Sequence, residues 1–89
     1  MKRSEIIELA RYMASNAINL YLEETEMGVF GVLCEDVKII GFYEDEQSNQ
    51  YIMTFMVSDY RDILCGIDYE LDTKRFRSNV YSKINLVEE

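Results

Sequence analysis

Asp68, Glu70 and Asp72 stand two apart in a stretch where Ile63, Cys65, Ile67, Tyr69 and Leu71 alternate with Leu64, Gly66, Asp68 and Glu70. A period of two is the pattern of a half-buried strand. Residues two apart on such a strand lie about 6.6–6.8 Å from each other on one face, so the three carboxylates are expected to form an evenly spaced anionic row. Successive phosphates of a duplex rise ~3.4 Å per strand, and their direct separation along the spiral is roughly twice that. A rigid sheet with this row can imitate a phosphate backbone, and its target is a basic nucleic-acid channel, met by fast, salt-sensitive association. Glu44, Asp45, Glu46, Asp59 and Asp62 add charge from predicted loops, and Tyr43, Tyr51, Tyr60 and Tyr69 lie among the acids as aromatic anchors. The candidate partner-binding set is Asp68, Glu70, Asp72, Glu44, Asp45, Glu46, Asp59, Asp62 and Tyr69.

The row belongs to a wider imbalance. From Glu23 to Asp72 there are thirteen carboxylates and two cations, Lys38 and Arg61, a net −11 within a chain of net −8. Lys74, Arg75, Arg77 and Lys83 then cluster within ten positions. Net negative charge also aids solubility with no partner involved, so the fixed spacing of the row, not the count, distinguishes a binding surface from a merely solvated one. The cations are expected to face carboxylates of a neighbouring strand. The alternative, direct nucleic-acid binding through Arg75 and Arg77 with Phe76 or Tyr81 stacking on a base, runs against the repulsion of phosphates by the whole molecule.

Catalysis is disfavoured. With no histidine there is no Ser-His-Asp or Cys-His arrangement, nor a base titrating near neutrality without a large shift. Gly28, Gly31, Gly41 and Gly66 form no phosphate-cradling loop; Gly28 and Gly31, inside an apolar run, suggest bulges or close packing. Glu44-Asp45-Glu46 offers oxygen ligands but lacks EF-hand spacing, and two distant cysteines without histidine do not suit zinc. The expectation is a non-enzymatic protein with no cofactor and no metal.

These groups need a scaffold. Ser4 is the expected N-cap of a helix over roughly 4–22, with Ile6, Leu9, Ala10, Met13, Ala17, Leu20 and Tyr21 on its apolar face, and Asn16, Asn19 and Glu23 in water. Glu5 and Glu8 suit the positive end of its dipole. Strands are expected at Met27–Cys34, Val37–Tyr43, Tyr51–Val57 and Ile63–Leu71, with Glu35-Asp36 a tight turn, Glu44–Asn49 a hairpin loop and Ser58–Asp62 a connector. Residues 74–86 fit either helix or strand; β-branched and aromatic content favours a strand. The expected fold is one α+β domain over residues 1–89, an N-terminal helix packed on an antiparallel sheet of four to five strands.

Eighty-nine residues suffice for one core. Glu8 interrupts any signal-like apolar region, and no run approaches the ~20 residues of a membrane span, so the expected location is the cytoplasm. Cys34 and Cys65 read as reduced, buried thiols, with a disulfide between neighbouring strands as the alternative. Tyr51, Met53, Phe55 and Val57 face one side of their strand and Ile52 and Met56 the other, whereas one helix covers one face. Either the C-terminal segment or a second copy in a homodimer covers the rest. A small dimeric assembly module with an incidentally acidic surface is thus the alternative function.

The combination of one helix followed by strands, fewer than a hundred residues, no proline and many Asp, Glu and Tyr resembles small acidic phage-encoded inhibitors. Anti-CRISPR proteins and uracil-DNA glycosylase inhibitors are of this kind, and the second group also has an acidic segment leading into an apolar strand, as in Tyr43–Thr54 here. The resemblance implies an inhibitor acting by occlusion, with a basic nucleic-acid-binding protein as partner and no direct contact with nucleic acid or membrane.

Overall fold

The helix α1 runs from Arg3 to Thr25 in the computed structural model, which describes residues 1–25, 31–58 and 60–82. It starts earlier than Ser4. Lys2 is the capping residue, its carbonyl accepting from the Glu5 and Ile6 amides at 3.0 Å each. Its own N–H donates to Glu5 Oε1 at 2.8 Å, so Glu5 supplies the side-chain half of a capping box. Ser4 lies inside the first turn.

The buried line of α1 is Ile6, Ala10, Ala14, Ile18 and Leu22, with Ser15 beside it. This corrects the expected face, because Leu9 and Leu20 are exposed and Met13, Ala17 and Tyr21 only flank the core. A strict four-residue row is inclined to the helix axis by about 26°, which suits a helix lying on a twisted sheet. Ala10 and Ala14 are fully buried, and their small side chains let the helix backbone come close to the strands.

Among the described residues the sheet has four strands, β1 (Val37–Asp45), β2 (Gln50–Val57), β3 (Tyr60–Glu70) and β4 (Arg75–Ser82), each antiparallel to the next in the order β1-β2-β3-β4. The domain is therefore α+β, a helix on an antiparallel meander. The ambiguous last segment, residues 74–86, is a strand at Arg75–Ser82, as its β-branched and aromatic residues favour; Lys74 sits in the preceding turn, and residues 83–86 lie outside the described residues. Gly31–Leu33 is not strand, and Cys34–Asp36 forms a 3₁₀ turn before β1; the rest of the strand expected at Met27–Cys34 lies outside the described residues. Tyr60–Asp62, expected in a connector, belongs to β3, with an irregularity in pairing where Met56 faces Leu64 and Val57 faces Tyr60. β1 has a bulge between Ile39 and Gly41 that leaves Ile40 exposed.

The helix-facing side of the sheet buries Val37, Met53, Phe55, Val57, Ile63, Cys65, Ile67 and Tyr69. Across one end of it an aromatic line runs from Phe42 to Tyr51, Tyr69 and Phe76, with ring centroids 5.1, 6.3 and 4.6 Å apart in turn. Arg3 closes that line from the helix, 5.2 Å over Phe42 and 5.7 Å over Tyr51, and ion-pairs with Glu44 at 3.0 Å. Both cysteines are free thiols. Cys34 is only half-buried, while burial pushes the Cys65 thiol up to about 11. Among the described residues no helix is long and apolar enough to cross a membrane.

Candidate functional site

Antiparallel pairing sorts the acidic residues to two ends of the sheet. Helix α1 begins where β1 and β3 finish, as the Arg3–Glu44 pair fixes. It finishes where β1 and β3 begin, beside the Cys34–Asp36 turn, where Asn19 clasps Val32 with Nδ2 donating to the Val32 carbonyl at 3.0 Å and Oδ1 accepting the Val32 amide at 2.6 Å.

The hairpin-loop end gathers Glu44, Asp45, Glu46, Glu70 and Asp72, and uses most of them internally. The Asp45 carboxylate accepts the Ser48 hydroxyl at 2.6 Å and the amides of Gln47 and Ser48 at 3.2 and 3.4 Å. The Ser48 hydroxyl above all holds its pKa below the ordinary Asp value; desolvation opposes it, and the Ser48 and Gln47 amides lower it further by smaller amounts. Asn49, at φ 53 in the left-handed region that asparagine tolerates, donates to Asp72 Oδ1 at 2.8 Å and offers its carbonyl to the Leu71 amide at 3.1 Å, tying the two loops together. Glu70 accepts the Thr73 hydroxyl at 2.6 Å. Lys2, Arg3, Lys74 and Arg75 stand among these acids.

The expected row of three is not a row. Asp68 and Glu70 lie on the open face of β3, but β3 ends at Glu70 and Asp72 sits in the following turn, because Leu71–Lys74 must reverse the chain into β4. Asp68 faces Arg77 and Glu70 faces Arg75 across the strand pair. Both cations thus fall opposite carboxylates as their spacing suggests, although among the described residues no ion pair within 4.0 Å joins them. Tyr69 is a further correction: it is 2% exposed in the aromatic line under α1 and offers a partner nothing. Its own alternation with Asp68 and Glu70 already assigned it to the apolar side. Phe76 packs against it and is likewise committed to the core side. Asp59 lies outside the described residues.

The opposite end carries Glu23 and Glu24 at the close of α1, Glu35 and Asp36 in the 3₁₀ turn, and Asp62 near the start of β3, all exposed. Among the described residues the exposed cation there is Lys38; Arg61 belongs to β3. Of these acids only Asp62 came from the candidate set. The described hydrogen bonds include one to a carboxylate of this group, a 3.3 Å contact from the Leu33 amide to Asp36. Glu23 and Glu24 also sit at the negative end of the helix dipole, in a last turn with no basic residue, where a carboxylate costs about 0.3–1 kcal/mol. Leu20 and Leu33, 55% and 57% exposed, follow the clasped Asn19 and Val32 in sequence and put apolar surface on the same part of the molecule. A sequence signal for this end existed in Glu23, Glu24, Glu35 and Asp36, but only the fold brings the helix terminus to the start of the sheet.

Two open hollows accompany these features, about 320 Å³ lined by Gly66, Asp68, Arg77, Ser78 and Asn79, and about 330 Å³ lined by Tyr43–Gln47. Among the described residues no group of three or more acidic or thiol side chains is placed to hold a metal ion. No protein-family model, curated protein or solved structure matches the chain.

Proposed function

We propose that this protein is a non-enzymatic acidic binding protein that occupies the basic surface of a nucleic-acid-handling protein, in the manner of an occluding inhibitor. The observation that carries the reading is the end where the close of α1, the Cys34–Asp36 turn and the start of β3 place the exposed carboxylates of Glu23, Glu24, Glu35, Asp36 and Asp62, with Lys38 the exposed cation there among the described residues. Fixed negative charge on a folded platform raises the encounter rate with a basic patch and makes it fall with salt. Leu20 and Leu33 supply the apolar contact that charge alone does not give. Asp68, Glu70 and Asp72, each facing a cation or hydrogen-bonded within the chain, are secondary in this reading.

The experiment is a tagged capture from host lysate at 50 and 200 mM salt with three forms of the protein: wild type, Glu23→Lys/Glu24→Lys/Glu35→Lys/Asp36→Lys, and Asp68→Lys/Glu70→Lys/Asp72→Lys. Wild type is expected to retain a basic nucleic-acid-binding protein at 50 mM and to lose most of it at 200 mM. The second reversal should retain it and the first should not, each variant first being shown folded by its thermal transition. Equal capture by the first reversal and wild type, or capture indifferent to salt, contradicts the reading.

A further inference from the structure

The side of the sheet away from α1 is ordered into rows by the pairing. Asp45, Gln50, Glu70 and Arg75 share one level; Tyr43, Ile52, Asp68 and Arg77 the next; Lys38, Met56, Leu64 and Tyr81 the level nearest the other end. Each row begins on edge strand β1 and ends on edge strand β4. Among the described residues nothing packs over this face: Tyr43 is 62% exposed, Ile52, Met56, Leu64 and Tyr81 are half-buried, and Arg75 and Arg77 are exposed; the C-terminal segment named as its alternative cover lies, from residue 83 on, outside the described residues.

The two ends of every row are chemically complementary to each other. Asp45 answers Arg75 by charge, Tyr43 answers Arg77 and Tyr81 answers Lys38 by the attraction of a cation to an aromatic face, and Met56 and Leu64 are matched apolar residues on the two central strands. A two-fold axis parallel to the strands, passing between β2 and β3 in the plane between two stacked sheets, carries β1 onto β4 and β2 onto β3 while keeping each residue at its level. It sets Asp45 against the partner's Arg75, Tyr43 against the partner's Arg77, and Met56 against the partner's Leu64. Stacked sheets lie about 10 Å apart with strand directions within about 30°, a rotation that long Arg and Lys side chains absorb at the row ends. The face measures roughly 19 by 26 Å from strand spacing and rise, a footprint of about 500 Å² per partner, so the two copies together bury about 1,000 Å², at the lower limit of a specific interface.

We infer that the open face is an isologous docking surface for a second copy of this chain, with the two sheets packed face to face about a two-fold axis along the strands. The occupant follows from the charge pattern. A uniformly basic partner has no use for Arg75, Arg77 and Lys38 on this face, and a purely apolar partner would leave the row-end charges unanswered; Asp68 and Glu70, which the same rotation sets against the partner's Ile52 and Gln50, keep Arg77 and Arg75 of their own sheet beside them. The dimer leaves the end carrying Glu23, Glu24, Glu35, Asp36 and Asp62 at the margin of the sandwich, so this inference stands apart from the proposed function.

The test uses two variants that meet only across the interface. Met56→Glu sets a carboxylate against the partner's Leu64, and Leu64→Lys sets an ammonium against the partner's Met56. Each alone buries two uncompensated charges in a homodimer and should weaken self-association by at least about a hundredfold. Mixed together, they place one Glu against one Lys and one Met against one Leu, so a heterodimer should form that neither variant forms with itself. Sedimentation equilibrium from about 5 to 500 µM reads this directly. A wild type that is monomeric throughout, a variant that dimerises as wild type does, or a mixture that stays monomeric overturns the inference. If either variant does not fold, amide shifts of the wild-type protein on dilution decide: changes at Tyr43, Ile52, Leu64 and Tyr81 support the face, and changes confined to α1 or to the strand edges refute it.

Discussion

The two ends of this sheet carry the same kind of residue and differ in what surrounds it. At the hairpin-loop end, Asp45 caps its own loop, Asp72 bonds Asn49, Glu70 bonds Thr73, and Glu44 pairs with Arg3. At the other end Glu23, Glu24, Glu35, Asp36 and Asp62 are exposed, and the hydrogen bond to them among the described residues is that from the Leu33 amide to Asp36. Carboxylates of the first kind hold loops in shape. Those of the second kind supply field to the solvent, and two of them oppose the helix dipole. A count of acids merges these roles; the hydrogen-bond partners separate them.

The largest stability contrast between the ends is expected from Arg3→Ala. Arg3 holds an exposed ion pair and lies over two rings, so its loss should destabilise the fold by about 1 kcal/mol, read as a lower urea midpoint with unchanged slope. Glu23→Gln/Glu24→Gln should move the midpoint the other way, by about 0.5–1 kcal/mol of added stability as two carboxylates leave the negative end of α1. A loss of stability in that variant would place these acids among the structural ones and break the comparison.

A smaller effect separates the ends by pH. Because the folded Asp45 pKa lies below the unfolded value, the loop stabilisation it provides is present above the unfolded value and is lost as pH falls through the folded one. Ser48→Ala should raise the Asp45 pKa toward the ordinary Asp value, measured from carboxyl shifts in a titration. An Asp45 that titrates identically with and without the Ser48 hydroxyl would contradict the capping role.

Much of the scaffold was readable in the chain. Alternation across Ile63–Leu71 and Tyr51–Val57 gave two strands and their buried sides, and the same alternation assigned Tyr69 to the core even as its ring suggested an anchor. The helix was visible by its period, but its buried line was misplaced because Leu9 and Leu20 are apolar and exposed while Ala14, Ser15 and Ile18 are buried; hydrophobicity alone does not tell which apolar stripe meets the sheet. Asp72 looked like a third strand residue because spacing continues through a turn, whereas the reversal at Leu71–Lys74 depends on Lys74 at φ 58 and on the bond from Asn49, twenty-three residues earlier. The acidic end was least legible. Glu23 and Asp62 are neighbours only in the sense that a helix ends where a strand begins, a relation that needs the packed fold.

In the proposed function the negative charge available to a partner sits at the helix-C-terminal end and not on the Asp68–Asp72 segment. This is tested most directly by titrating the ¹⁵N-labelled protein with a synthetic arginine-rich peptide at low salt and following every amide. Saturable shifts are expected at Glu23, Glu24, Glu35, Asp36 and Asp62, fading as salt rises, with little change at Asp45, Glu70 and Asp72. Shifts centred on Asp68, Glu70 and Asp72, or spread evenly over both ends, would contradict it.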